Sequence, residues 1–353
     1  DKRDGYYGIG ADVGTDAGGS MIARVKAGGP ADRAGLVPGD RILAVDGHAV
    51  DGLRPHAVAR RLHGTPHSRV ALKVVAAADG EAPRDLTLVR DLIVPETVHA
   101  KRVGRVLVLT IDSFNQETAE SLALALIAAL DGPVPPRSLI LDLRGNPGGL
   151  LREAVAVADE FLTQGTIIAT RGRHPDSYQF YDADAVALAA GLPMAVLVDG
   201  RSASAAEVVA AALQDRGRAV VVGTRSFGKG TVQTVIGLPN DGEITLTWSR
   251  LQAPSGYLLH GLGVMPTVCV GADDPSADAT ISRALAHRAA TGATLAAWRT
   301  GPADAAERRR LRAQCPPVTA KDDRSLAVAL HLLRHPRTHR RALSLADQVT
   351  AAR

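Results

Sequence analysis

A chain of 353 residues with 46% hydrophobic and 22% charged side chains is long enough for two or three domains, each burying its own core. Aromatic residues make up only 3%, so aliphatic side chains and alanine must fill those cores; the longest apolar run, Leu122 to Leu130, is too short to cross a bilayer. The net charge of +4 is uneven: residues 276–353 carry 14 Lys and Arg against 6 Asp and Glu, leaving the remainder net acidic.

In chain order, residues 1–90 are glycine-rich and strand-like. IGADVG, SMIARVKAG, DRILAVDG and RVALKVVAA alternate or run apolar between turn signals, and Pro55 to Leu62 predicts a helix with Val58 and Leu62 on one face. Residues 91–271 alternate strands with helices. RVLVLTI precedes a helix from Glu117 to Leu130, SLILDL precedes one from Leu151 to Leu162, and MAVLVD precedes one from Ala205 to Gln214; TIIAT, AVVVG and EITLTWSRL add further strands. Such alternation predicts an α/β (α+β) layered core. Residues 272–353 read as a basic helical extension broken at the polar stretches TGAT and QCPPVTAKDD. The extension has neither interleaved aromatics nor a nucleic-acid motif, so a solvated helical face is expected and no nucleic-acid partner. Two cysteines, Cys269 and Cys315, are too few for a disulfide framework and leave a single bridge open; neither sits in metal-ligand spacing.

The chemistry concentrates in GRSASAAEVVAAALQDRGRAVVVGTRSFGKGTVQ, Gly200 to Gln233. A buried strand ends at Asp199-Gly200, and a helix follows from Ser202 to Ser204 onward. A serine there meets the unpaired N–H groups and positive dipole end of the helix, which favour a developing oxyanion. Serine is also the commonest N-cap, so either residue alone reads first as a cap. Lys229, set between two glycines, supplies what a serine nucleophile needs: an amine that can act as base when it is uncharged. Upstream, LILDLRGNPGG ends a buried strand in a loop that exposes backbone N–H groups, and Gly148 or Gly149 can donate a second oxyanion contact beside Ala205. Glycine-rich YYGIGADVG lacks the strand–turn–helix setting of a dinucleotide fingerprint, and none of the eleven histidines stands in a nucleophile elbow.

With these residues in hand, the chain resembles the C-terminal processing peptidases, or tail-specific proteases, which use a Ser-Lys dyad. The resemblance rests on SASAAEVVAAALQDRGRAVVVG followed by SFGKGTVQT, on LILDLRGNPGGLL and on APSGYLLHGLGVMPT, and it runs from about Tyr6 to Val270. It implies a PDZ domain at 1–90, a crotonase/Clp-protease-like catalytic core at 91–271 and the C-terminal extension at 272–353. It also implies Ser204 as nucleophile, Lys229 as general base, Gln233 as the residue that orients the lysine, and Gly148 with Ala205 as the oxyanion hole. Asp215 then has a structural role at the helix end, and Ser202 becomes the better cap. Ala206 and Gly145 stand where the family commonly has serine and asparagine, and the helical segment that precedes the PDZ domain in family members is absent.

The PDZ resemblance is carried by Tyr6 to Gly10 as the carboxylate-binding loop and by GPADRAGLVPGDRILAVDG. It implies a peptide that adds as a strand, contacting Tyr7, Gly8, Ile9, Gly10, Ala57, Val58 and Arg61. The partners implied are proteins with exposed C-terminal tails, with an adaptor and self-association left open; PDZ docking is expected to gate the site. No metal or organic cofactor is expected. An exported, periplasmic or cell-envelope location is implied. No signal pattern opens the chain, and its start at Asp1 reads as trimming or processing.

Overall fold

The computed structural model of the chain describes residues 5–16, 18–77, 82–238, 242–271, 274–317 and 323–347. Contacts divide the chain into two units, Asp1–Pro95 and Glu96–Arg353.

In the first unit, β1 (Tyr6–Gly8) pairs antiparallel with β8 (Asp91–Ile93). A larger sheet joins β2 (Ala11–Asp16), β3 (Gly19–Val25), β4 (Arg41–Val45), β6 (Arg69–Val75) and β7 (Arg84–Val89) in that order, with β5 (His48–Ala49) on β4. Along β6, buried Val70, Leu72 and Val74 alternate with exposed Arg69, Ala71 and Lys73, the pattern of a strand covered on one face. Two helices, α1 (Pro30–Arg33) and α2 (Pro55–Leu62), each start on a proline, whose missing N–H costs nothing in the first turn. Val58 and Leu62 point from α2 into the core with Ile9, Ile22 and Ile42. β2 is an edge strand bonded only to β3 within this sheet, and α2 packs against it.

The second unit is built on a six-stranded sheet. Its parallel strands are β10 (Val106–Ile111), β11 (Ser138–Asp142), β14 (Met194–Val198), β15 (Val220–Gly223) and β18 (Val268–Cys269), and β9 (Val98–Val103) closes one edge antiparallel to β10. Every residue of β11, β14 and β15 is buried, as a parallel sheet covered on both faces requires. Leu139, Leu141, Met194, Val196 and Val221 face a core shared with α3 (Thr118–Leu130), α4 (Leu151–Asp159) and α5 (Ala205–Asp215). Ile140, Ala195, Leu197, Val220 and Val222 face the other way. There they meet Ile281, Val328, Leu332 and Ala342 from α6 (Ala277–Ala286), α9 (Arg324–Arg334) and α10 (Pro336–Asp347). Three helices of the basic extension therefore form the second helical layer of the core.

Two further helices, α7 (Arg288–Arg299) and α8 (Ala305–Arg312), complete that segment. TGAT lies inside α7, so the break expected there falls instead at His287; one glycine among helix formers is too weak to end the helix. Part of QCPPVTAKDD lies outside the described residues. A second sheet orders β13 (Gln179–Asp182), β12 (Thr166–Arg171), β17 (Glu243–Gln252) and β16 (Thr231–Gly237), with β16 at an edge. Among the described residues no helix is long and apolar enough to cross a membrane.

A disulfide joins Cys269 to Cys315, so the open question about the two cysteines resolves as one bridge that pins the end of α8 to the sheet. At the C-terminus of α5, Asp215 accepts from the Ser255 N–H and hydroxyl at 3.0 and 2.6 Å, and its other oxygen lies 2.9 Å from Arg299 Nη2 with poor alignment for a hydrogen bond. Arg299 also donates to the Ala346 carbonyl, so this pair, 1% and 4% exposed, ties α5 to α7 and α10. Removing one member of such a pair strands a charge. Arg299→Ala should lower stability by about 3–5 kcal/mol, read as a fall in urea midpoint with unchanged slope.

Candidate active site

The chain leaves β14 and turns at Asp199 to Ser204 before entering α5, and this turn is locked by its own polar groups. Ser202 is wholly buried: its hydroxyl donates to the Leu143 carbonyl at 2.8 Å and accepts from the Asp199 N–H at 2.9 Å. The Asp199 carboxylate in turn accepts from the Gly145 N–H, and the Ala203 N–H donates to the Asn146 carbonyl. The ends of β11 and β14 are thus stitched together. Ser202 serves this stitch and is not the helix cap expected of it. Ser204 occupies the N-cap position, because the backbone reverses there.

That reversal is strained. Ser204 has φ 55° and ψ −115°, a region that glycine tolerates and a side chain does not favour. Such outliers cost about 1–3 kcal/mol and persist only where the surroundings over-determine them. The strained turn leaves Ser204 half-buried at the mouth of a helix whose other residues, Ala205 to Gln214, are all buried.

Glu207 is what over-determines it. This carboxylate is fully buried and accepts four hydrogen bonds. One oxygen takes the Ser204 and Lys229 N–H groups, both at 2.8 Å; the other takes the Gly228 N–H at 2.6 Å and the Ser226 hydroxyl. One carboxylate oxygen therefore joins the backbones of Ser204 and Lys229. The Phe227 N–H adds a direct tie to the Ser202 carbonyl at 3.0 Å. Burial pushes the Glu207 carboxyl above the usual glutamate range, and the four donors, Ser226 first, offset only part of that rise.

The loop from Ser226 to Gly230 is packed on the segment Leu259–Val264. The Gly261 N–H donates to the Gly228 carbonyl at 2.9 Å, and the Val264 N–H to the Ser226 hydroxyl at 2.7 Å. Gly228 has φ +95°, and a Cβ there would sit 3.2–3.3 Å from Arg312, Gly261 and Leu262, so both conformation and space call for glycine. Lys229 is half-buried beside it. Gln233 is exposed on β16 opposite Thr247, next to a bulge between Val232 and Gln233.

Gly148 approaches the serine most closely. A Cβ on it would meet Ser204 Cβ and the Ala203 carbonyl at 2.7 Å and the Ala205 nitrogen at 3.0 Å, and its φ is +98°. Its N–H, however, donates to Asn146 Oδ1 at 2.8 Å, so this amide is engaged in the structure. The Ala205 amide, at the first helical position, has no acceptor within its own helix. The site thus gathers Ser204, Ala205, Gly148 and the backbone of Lys229; Gln233 stands further along the strand. Glu207 and Ser226 were given no role from sequence, and APSGYLLHGLGVMPT carried the resemblance without marking Leu259–Val264 as the strap under the lysine loop. Ser204-x-x-Glu207 is a capping-box spacing, and an acid among alanines and valines in the first turn of the helix could have flagged Glu207.

In the first unit, the loop Tyr7 to Gly10 leads from β1 into β2. Its carbonyls are tied inward: Tyr7 accepts from Gly64, Ile9 from Ala31 and Gly10 from Lys26. The Tyr6 ring lies 4.2 Å from that of His63 just past the end of α2, so the loop and the helix flank the free edge of β2. Ala57 is half-buried and Arg61 exposed, whereas Val58 is wholly buried in the core. Among the described residues no cluster of His, Cys, Asp or Glu could hold a metal ion.

Comparison with known proteins places these features. Peptidase family S41 matches residues 105–270, and a PDZ domain matches residues 21–75. A carboxy-terminal-processing protease of Bartonella bacilliformis is 37% identical over 244 residues, covering 68% of this chain and 56% of that protein. A probable CtpA-like serine protease of Staphylococcus aureus is 33% identical over 267 residues, covering 75% and 53%. Among solved structures, the photosystem II D1 C-terminal processing protease is 29% identical, covering 76% of this chain and 74% of that one with a TM-score of 0.47. The chain spans about half the length of the curated relatives it matches.

Replacing Glu207 with alanine leaves four buried donors without an acceptor and should cost about 3 kcal/mol or more in urea unfolding. A carboxyl whose folded pKa lies above its unfolded one makes the folded state the stronger proton binder. The stability that Glu207 contributes is therefore present below the unfolded glutamate range and falls as pH rises through the folded value. Urea midpoints measured across mildly acidic pH should lose this component of slope in Glu207→Gln.

Proposed function

We propose, on the premise that this chain belongs to peptidase family S41 and carries a PDZ domain, that it is a serine endopeptidase that cuts proteins near their C-terminal tails. The observation that carries this reading is the Glu207 carboxylate, which joins a strained, half-buried Ser204 to the backbone of Lys229. Ser204 attacks the scissile carbonyl as uncharged Lys229 takes its proton. Gln233, four residues beyond the lysine, orients the amine. The oxyanion is held by the Ala205 amide at the helix N-terminus and by the Gly148 amide, which exchanges its bond to Asn146 for the arriving oxygen. The amine returns its proton to the leaving group, and Lys229 then activates the water that releases the acyl group. No metal enters these steps.

The PDZ unit is proposed to capture the substrate's tail. An extended peptide adds to the free edge of β2, its terminal carboxylate in the loop Tyr7 to Gly10 and its side chains along Ala57 and Arg61 of α2. The carboxy-terminal-processing relatives and the PDZ match support this substrate class. An exported location is part of the same proposal, supported by the same kinship.

A fluorophosphonate probe should label Ser204, and Lys229→Ala should slow labelling by roughly a hundredfold or more, the scale of general-base loss. Labelling elsewhere, or at an unchanged rate in the lysine variant, would remove the dyad. For the PDZ site, fluorescence anisotropy on the full chain should show a peptide with a free apolar C-terminus binding about tenfold tighter than its amidated form, a loss of roughly one charge-assisted contact. Equal affinity would place the tail elsewhere.

A further inference from the structure

We propose that Arg312, on the C-terminal helical segment outside the residues matched to peptidase family S41, is a positioning residue that holds the Lys229 loop in place from its carbonyl side. The assignment concerns the site proposed above and depends on that reading for its catalytic consequence, though not for its structural content.

The loop Ser226–Lys229 contains no regular hydrogen-bonded structure of its own. Its N–H groups at Gly228 and Lys229 go to Glu207 and that of Phe227 to the Ser202 carbonyl, whereas its Ser226 and Phe227 carbonyls turn to α8. There the Arg312 guanidinium donates to the Phe227 carbonyl at 3.0 Å and the Ser226 carbonyl at 3.4 Å, and its other nitrogen donates to the Leu262 carbonyl. The fork thus spans both the lysine loop and the strap beneath it, a geometry a guanidinium satisfies and a single ammonium does not. The same side chain closes over Gly228, where a Cβ would lie 3.2 Å from Nη1. An anion on the amide side and a cation on the carbonyl side therefore fix four residues of irregular chain.

The arginine is itself held. Three residues later, Cys315 is bonded to Cys269 on β18, and Trp298 of α7 donates to the Gly263 carbonyl at 3.0 Å. Burial lowers the Arg312 pKa to about 10, so the guanidinium remains charged at neutral pH opposite Glu207. Its neighbours Arg309 and Arg310 lie on the solvent side of α8, Arg310 engaged with Glu307. Arg308 is partly buried too but donates to the Pro302 and Ala303 carbonyls, whereas Arg312 bonds the lysine loop.

The test compares wild type, Arg312→Ala, Arg312→Lys and the control Arg310→Ala, all in the full chain. Amide hydrogen exchange should rise in Arg312→Ala at Phe227, Gly228 and Lys229 while amides of β14 and β15 keep their protection. In the same preparations, the maximal rate of fluorophosphonate labelling at Ser204 should fall roughly tenfold or more, as expected when a catalytic group shifts by a fraction of an ångström to 1 Å, with half-saturating probe concentration within about twofold. Arg312→Lys should recover only part of the loss, and Arg310→Ala should match wild type. Unchanged exchange at the loop, or faster exchange spread through β14 and β15, would overturn the positioning role. If wild type is not labelled at Ser204, the serine-nucleophile reading fails, and loop exchange in Arg312→Ala still decides whether this residue holds the loop.

Discussion

In the second unit, the serine turn and the lysine loop are arranged around one buried carboxylate. Glu207 has no exposed surface and gathers donors from Ser204, Ser226, Gly228 and Lys229. A charge in that position is costly unless its lone pairs are met, and meeting them requires the serine turn and the lysine loop to arrive together. The strained backbone of Ser204 is the local cost of that requirement, and the glycines at 148 and 228 are what allow neighbouring chain to come so close.

The carboxylate can be buried only because the sheet beneath it is covered on both faces. α3, α4 and α5 form one layer, and the basic C-terminal helices α6, α9 and α10 form the other. The positive charge of this segment is largely outward, whereas its apolar stripe fills the space against Ile140, Leu197 and Val222. The α7 and α8 helices of the same segment pack instead on the core shared with α3, α4 and α5, and they carry its contacts to the site: Arg299 closes on Asp215, Trp298 on Gly263 and Arg312 on the lysine loop. Asp215 is paired with Arg299, and Arg312 lies within the field of Glu207, so these charges are opposite in sign.

The PDZ unit obeys a different logic. Its sheet leaves β2 at an edge, with a helix alongside and a glycine-containing loop at one end. Open edges invite strand pairing, and a protein keeps one where pairing is useful. Val58 shows how narrow the boundary is on such a helix: one residue from half-buried Ala57, it belongs wholly to the core.

Local order was legible in the chain itself. Period-two alternation located β6, continuous apolar runs located β11, β14 and β15, and α2 and α5 were read to within a residue because proline, serine and glycine mark their ends. The motifs around Ser204, Lys229 and Gly148 also stood out, since a lysine between glycines and a Pro-Gly-Gly turn make little sense as packing. What sequence could not supply was which buried group joins these segments. Glu207 meets a loop about twenty residues away and Arg312 meets the same loop from 86 residues away, and such pairings are selected by burial and hydrogen-bond geometry after the sheet has formed. The resemblance alone picked Ser204 over Ser202, and the physical reason is tertiary: both can cap a helix, and the stitch from Ser202 to Leu143 draws one inward and leaves the other half-buried at the helix mouth.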